Sequence, residues 1–310
     1  MRFVNDLAPS TSKPMLHLAL SIGFSVFLGI CFKLWPRYQV RVLPGILHNY
    51  IACVAVAGWM TGQWPIDGMT FLEPWFFLAC GLSLLFISGF YLYAVSIHVW
   101  GMATMSAVQK MSLLISALFA IVVYHEALSF PKAGGIALGM ASIPLLLYRA
   151  SANPANALAG QAPMNWRAYI LVISTFLIAG AIEIGLFVAE SGLVQTTADP
   201  RFIAVIFSGA FLAGWGFCML SKKERRGFFS IRHMVAGWVL GVPNFFSIYF
   251  LMRAIGGELD ASIVFPVNNT ATILLSTLLG VFLFREAFVW RNGLGILFAL
   301  FALLLLTNTA

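Results

Sequence analysis

The chain has 310 residues, of which 61% are hydrophobic and 9% charged. A soluble domain carries about 25% charged residues, so the composition excludes one and marks a polytopic membrane protein. The net charge of +7 falls in short loops, which speaks of orientation and lipid headgroups and excludes nucleic acid as a partner.

Lipid excludes an open sheet, because it offers no partner to an unpaired backbone group. A β-barrel would read as about ten-residue segments of alternating polarity. The apolar runs here do not alternate and are about twenty residues long, which predicts helices. A window of about nineteen residues gives ten spans, at roughly 15–34, 41–60, 71–97, 100–124, 132–149, 167–190, 201–220, 233–254, 259–284 and 289–307. The opening "MRFVNDLAPSTSKP" is polar and has no apolar h-region, so no cleaved signal peptide is expected.

Lys33, Arg37 and Arg41 surround the first connection and read as headgroup anchors. The second span carries His48, Asn49 and Tyr50, candidates to line a cavity. Tyr91 and Tyr93, in the third, and Tyr249, in the eighth, offer rings and hydroxyls to a substrate, with aromatic packing as the competing reading. Trp35, Trp59, Trp64, Trp75, Trp100, Trp166 and Trp290 fall at span ends, where aromatic anchors are expected. Cys31, Cys53, Cys80 and Cys218 lie in apolar runs without metal-ligand spacing and read as small core residues.

The fourth span contains "MSAVQKMSLL", with Lys110 about ten residues from either end. A lysine at a helix centre costs about 2.5–3.5 kcal/mol on insertion scales. It can bind an anionic part of a substrate, pair with a buried carboxylate, or snorkel to an interface, which its depth disfavours. Gln109, Ser112 and Ser116 share one helical face beside a line through Ser106 and Lys110. In the ninth span Asn268, Asn269, Thr270, Thr272 and Ser276 make a comparable polar face. Small hydroxyls often serve only as glue between membrane helices. The longer Gln109, Lys110, Asn268 and Asn269 are costly against lipid and point to a cavity. Pro266 removes a backbone donor nearby. Glu183, in "IAGAIEIGLF" of the sixth span, is the candidate partner or coupling group for Lys110. An ion pair needed only for folding is the alternative. Glu190 lies nearer an interface. Gly135/Gly139 and Gly237/Gly241 are small-xxx-small pairs that favour close helix contact. Arg253 is expected to pair with Glu258 or Asp260.

The polar stretch 148–167 divides the chain into 1–150 and 151–310. At an offset of 160 residues Phe90 meets Phe250, Leu114 meets Leu274, Glu126-Ala127 meets Glu286-Ala287, and Gly135-Ile136 meets Gly295-Ile296. Five spans per half leave the second half inverted, an architecture of alternating-access transporters. Glu126 and Glu286 close long spans, and each is expected to cap the helix that follows.

"YHEALSFPKAGGIALGMASIPLLL" (124–147) and "FREAFVWRNGLGILFALFALLLL" (284–306) resemble the end of an EamA repeat. The chain as a whole is similar to the drug/metabolite transporter superfamily. That resemblance implies an all-α integral membrane protein with ten transmembrane helices as two inverted five-helix repeats. It further implies a cavity lined by the third, fourth, eighth and ninth helices. Members move amino acids, sugars, nucleotide sugars, phosphorylated metabolites or drugs. Nucleotide-sugar members carry a Gly-Ala-Leu-Asn-Lys-like motif in the ninth helix. Here that segment reads "FPVNNTAT", and the lysine stands instead in "AVQKM" of the fourth, which argues against nucleotide sugars.

The expected function is secondary-active transport of a small anionic or zwitterionic metabolite by alternating access, in a bacterial inner membrane. Lys110, Gln109, Asn268, Asn269, Thr270, Tyr93 and Tyr249 would hold the substrate, and Glu183 would pair with Lys110 or couple a proton. The bilayer is the other partner, no cofactor is called for, and monomer and homodimer both stay open. No Walker, HExxH or GxSxG motif is present, against an ATP-driven pump or an intramembrane hydrolase. A cation exporter and a non-transporting membrane subunit are the alternatives. Sidedness is divided. The odd connections hold twelve Lys and Arg, including the run "SKKERRGFFSIRH", against Arg2, Lys13, Lys132, Arg201 and Arg253 on the other side. The positive-inside rule therefore puts both termini outside, whereas the resemblance implies cytoplasmic termini.

Overall fold

A computed structural model of the chain describes residues 12–62, 64, 66–68, 70–123, 128–148, 166–189, 200–255, 261–286 and 289–307. Glu126, Glu190, Glu258, Asp260, the side chain of Pro266 and most of the 148–167 stretch lie outside the described residues. Apart from one 3₁₀ turn at Thr70–Leu72, the elements are α1 (Ser12–Leu34), α2 (Val42–Thr61), α3 (Phe76–Trp100), α4 (Met102–Lys110), α5 (Leu113–Val123), α6 (Phe130–Leu146), α7 (Trp166–Val188), α8 (Pro200–Leu220), α9 (Lys222–Phe228), α10 (Ile231–Ile255), α11 (Ala261–Phe282) and α12 (Trp290–Thr307). Among the described residues seven stretches are long and apolar enough to cross a membrane: α1, α2, α3, α4 with α5, α7, α8 and α10. Shorter apolar helices lie at Phe130–Leu146, Val267–Phe282 and Trp290–Leu306. The architecture is that of a multi-pass helical membrane protein.

Two compact units form. One takes Met1–Ile87 and Gly185–Thr272, the other Ser88–Ile184 and Ile273–Ala310. Each unit therefore draws helices from both sequence halves, and α3, α7 and α11 run from one into the other.

In the first unit α10 packs on α1 and on α2, and α2 on α8. Glycine sets the α2–α10 distance: a Cβ at Gly237 would stand 2.3 Å from His48 Cβ, and one at Gly241 2.4 Å from the Asn49 carbonyl oxygen. Backbones this close gain dispersion contacts that larger residues would forbid. The turn after α1 is held by Trp35, whose ring fills the space a side chain at Gly45 would need. The short α9 lies across one end. Ser221 caps it, Lys222, Lys223, Arg225 and Arg226 face outward, and Gly227 turns inward against Pro44. The Phe228 ring stacks on His48 with centroids 4.4 Å apart and meets Trp215 edge-on at 4.4 Å. The charge run 221–233 thus conceals a short helix with a charged outer side and an apolar inner one.

In the second unit α6 and α12 pair closely. A Cβ at Gly135 would lie 3.1 Å from the Ala302 carbonyl oxygen, and one at Gly295 2.8 Å from the Leu146 nitrogen. The Asn292 amide on α12 donates to the carbonyls of Leu145, Leu146 and Tyr148 at 3.2, 2.9 and 3.0 Å, and so closes the C-terminus of α6. The last carbonyls of a helix lack i+4 partners; here the Leu145 carbonyl also takes the Tyr148 N–H at 3.3 Å, and Asn292 serves the buried Leu146.

Glu286 departs from expectation. It caps α4, earlier in the chain: Met102 N–H donates to Oε1 (2.7 Å) and Ala103 N–H to Oε2 (3.1 Å). Two glycines make the room. Gly101 has φ +90°, and a Cβ there would stand 2.9 Å from Oε2; at Gly280 it would stand 2.7 Å away. A carboxylate over the first N–H groups of a helix satisfies orphan donors and meets the positive end of the dipole. Two other expectations are corrected. Trp35, Trp75 and Trp100 are buried, packed respectively on Gly45, edge-on to Phe202, and by an indole hydrogen bond to the Ala168 carbonyl (3.1 Å). Trp59, Trp64, Trp166 and Trp290 are exposed, as anchors should be. Cys80 is exposed, while Cys31, Cys53 and Cys218 are buried.

Candidate functional site

The sequence predicts one helix across 100–124, and the structure breaks it directly after Lys110. Ser112, Leu114 and Ile115 reach back three residues, with N–H bonds to the carbonyls of Gln109, Met111 and Ser112 at 3.2, 3.0 and 2.8 Å. The bonding tightens from the α to the 3₁₀ pattern, and α5 starts on the far side. Lys110 therefore occupies the last turn of α4, where the negative end of the helix dipole favours a cation. No Pro or Gly lies at the break. The Ser112 hydroxyl donates to the Gln109 carbonyl at 2.6 Å, one of the local bonds by which serine competes with the helical ladder.

Glu183 on α7 faces this break. Gly180, one turn earlier, brings α7 onto α5, for a Cβ there would stand 2.4 Å from Ile115 Cδ1. The Glu183 carboxylate and the Lys110 ammonium attract each other, and the Ser112 and Ser116 hydroxyls lie beside the carboxylate. Both hydroxyls spend their protons elsewhere, Ser116 on the Leu113 carbonyl at 3.0 Å. Glu183 Oε2 is buried and accepts no hydrogen bond. Lys110 and Glu183 are each half-buried. Tyr93, on α3, is buried, and its hydroxyl lies 3.0 Å from the Ser106 hydroxyl, one turn before Lys110. The second unit thus assembles Tyr93, Ser106, Lys110, Ser112, Ser116 and Glu183 around one interrupted helix, with Gln109 half-buried beside them.

The first unit holds the remaining candidates. Asn268 and Asn269 on α11 are buried; the Asn268 amide approaches Asn269 Oδ1 at 3.5 Å, and the Ser21 hydroxyl is 3.5 Å from Asn268 Oδ1. These are contacts at the limit of hydrogen bonding. The better bond of Ser21 goes to the Ser247 carbonyl at 2.8 Å. Along α11 the hydroxyls of Thr270, Thr272 and Ser276 are buried and make no hydrogen bond. Such atoms are rare and call for an explanation. Their register mates Ser112 and Ser116 bond to their own helix, and α11 runs unbroken where α4 gives way to α5. Tyr249 is buried, and its hydroxyl accepts from Arg253 Nε at 3.0 Å. His48 is committed to α9 by a 2.8 Å bond to the Phe228 carbonyl.

Sequence reasoning passed over Asn244, whose amide donates to Asn49 Oδ1 at 3.1 Å across the α2–α10 contact. It also passed over Ser96 and Thr175, bonded at 3.2 Å. Polar residues on apolar helix faces were the available signal. Among the described residues no three His, Cys, Asp or Glu side chains converge as metal ligands.

An uncharacterized protein of Haemophilus influenzae is 28% identical over 302 residues, covering 93% of this chain and 96% of that one. A crystal structure of a protein 16% identical matches with a TM-score of 0.56 over 96% of this chain and 98% of that one. That likeness shows a shared fold. No family model matches the chain.

Proposed function

We propose that this chain is a secondary-active transporter of a small anionic or zwitterionic metabolite. It would have ten membrane spans, as two inverted five-helix halves of the EamA type in the drug/metabolite transporter superfamily. The observation that carries the reading is the interruption of an apolar, membrane-length span at a lysine, with a carboxylate on the neighbouring helix. Discontinuous helices at membrane depth are tolerated where they serve a cavity or ion path. An intramembrane charge is costly enough to call for a use.

The chemistry is a competition for one ammonium. With no substrate bound, Lys110 answers Glu183. A substrate carboxylate or phosphate that takes Lys110 leaves Glu183 as an uncompensated charge, which binding a proton neutralises. Substrate and proton are thereby linked, and linkage of this kind is reciprocal. Gln109 supplies an amide next to the cation, and Tyr93 holds α4 through Ser106. The relative in Haemophilus influenzae supports a bacterial cell membrane as the location.

A screen of purified protein against metabolites tests the class, since a ligand of the folded state raises the apparent Tm by mass action. Carboxylates or phosphates should stabilise the parent and not Lys110→Ala. Stabilisation by hydrophobic cations, lost in Glu183→Gln, would replace this reading with a cation exporter, for which the unbonded Oε2 of Glu183 would be the anchor.

A further inference from the structure

We propose that a cleft between the end of α1 and the start of α10 holds one anionic phospholipid. Its phosphate would sit at Arg37 and Arg232, and its acyl chain along Leu34, Val235 and Val239. The cleft has a volume of about 650 Å³, within the range of about 300–1,000 Å³ usual for ligand sites.

The rim of the cleft is built to hold its shape. The turn from Trp35 to Val40 is closed by bonds from Arg37, Tyr38, Gln39 and Val40 N–H to carbonyls at 34, 35, 36 and 35. Trp35, lodged against Gly45, anchors it. Gln39 adopts φ +54°, a left-handed conformation uncommon outside glycine. Its Oε1 accepts from Arg232 Nη1 at 2.7 Å. That bond ties the turn to α10 and fixes the guanidinium at the mouth. A guanidinium has five N–H donors, so the others stay available to a phosphate, which Arg binds well through its planar fork. Arg37, exposed on the same turn, brings the second charge.

Charge and wall together select the occupant. Beyond the arginines, Gln39 and the rings of Trp35 and Tyr38, the lining is Cys31, Leu34, Val40, Val235, Ala236 and Val239, and Val235 and Val239 are 52% and 49% exposed on a helix long and apolar enough to span a membrane. A soluble anion would gain nothing from such a wall, and a zwitterionic lipid would leave the two charges less well answered. The exposed cations of α9 also belong to the first unit, on the connection that runs into α10. Basic pockets between membrane helices bind anionic headgroups in this manner. The site stands independently of the transport reading.

The test uses the full chain in a neutral detergent, with phosphatidylglycerol, phosphatidylcholine of the same chains, or inorganic phosphate added. Phosphatidylglycerol should raise the apparent Tm by about 5 °C at saturation, and native mass spectrometry should find one molecule retained. Phosphatidylcholine and phosphate should do neither. Arg37→Gln with Arg232→Gln should abolish the shift. So should Val239→Trp, which fills the cleft while leaving both arginines and the Gln39 bond in place and decides the matter if the arginine variant does not fold. Equal shifts with phosphatidylcholine, a shift with phosphate alone, or an undiminished shift in Val239→Trp would overturn the proposal.

Discussion

Glu286 reaches from the end of α11 to the start of α4, and the structure fixes what its removal should do. The carboxylate accepts from the N–H groups of Met102 and Ala103 at 2.7 and 3.1 Å. Hydrogen bonds to a charged group contribute about 1.5–3 kcal/mol each, and a buried donor left unmade costs about 1–3 kcal/mol. N-cap deletions at exposed helices cost about 0.5–2 kcal/mol. Glu286 is half-buried, so Glu286→Ala should cost about 2–4 kcal/mol and lower the apparent Tm by roughly 4–8 °C. Glu286→Gln keeps one acceptor and loses the charge; about half that fall is expected. The glycines sharpen the test. Gly101→Ala should be destabilising by about 1–3 kcal/mol, because it combines φ +90° with a Cβ 2.9 Å from Oε2. In Gly101→Ala/Glu286→Ala the steric part disappears, so the double variant should lose less than the two singles together. Thermal scans in detergent at one scan rate supply all four values. An unchanged Tm in Glu286→Ala, or strict additivity, would refute the capping argument.

Asn292→Ala should cost about 1–3 kcal/mol, since it strips the donor from three carbonyls at the end of α6; Asn292→Asp, with no N–H to give, should be no better, and thermal scans compare them. Gly237→Val should abolish the α2–α10 contact and the yield of monodisperse protein on size exclusion, whereas Gly216→Val, where a Cβ meets nothing within 4 Å, should leave yield unchanged. Maleimide labelling of folded protein in detergent should modify Cys80 first and spare Cys53, with the order lost on denaturation.

The spans and the two unusual charges are legible in the sequence for one reason, their large energetic signal. A run of about twenty apolar residues has few other uses, and a charge inside such a run stands out by several kcal/mol. The fold brings Lys110 and Glu183 within electrostatic reach. What the sequence hides depends on distant or marginal terms. Nothing in "AVQKMSLL" announces a helix break; a serine bonding to its own backbone competes with one or two helical bonds worth about 1 kcal/mol each. Glu286 looks like a cap for the helix after it, and only the approach of Gly101 and Gly280 redirects it to α4. Trp35, Trp75 and Trp100 sit where interfacial anchors belong, yet packing partners far along the chain bury them. The α9 helix is masked by its own charge, since one turn-forming Gly227 and one Phe228 carry its whole apolar side.

The central claim, that Lys110 and Glu183 together bind and couple an anionic substrate, is tested most directly by net uptake of a radiolabelled metabolite found in the binding screen, into proteoliposomes of parent, Lys110→Ala and Glu183→Gln protein that hold none of it at the start, with internal pH recorded. The parent should take up label and move protons with it. Lys110→Ala should do neither, and Glu183→Gln should take up label without proton movement. Parent-level uptake by Lys110→Ala, or proton movement unchanged in Glu183→Gln, would contradict the account.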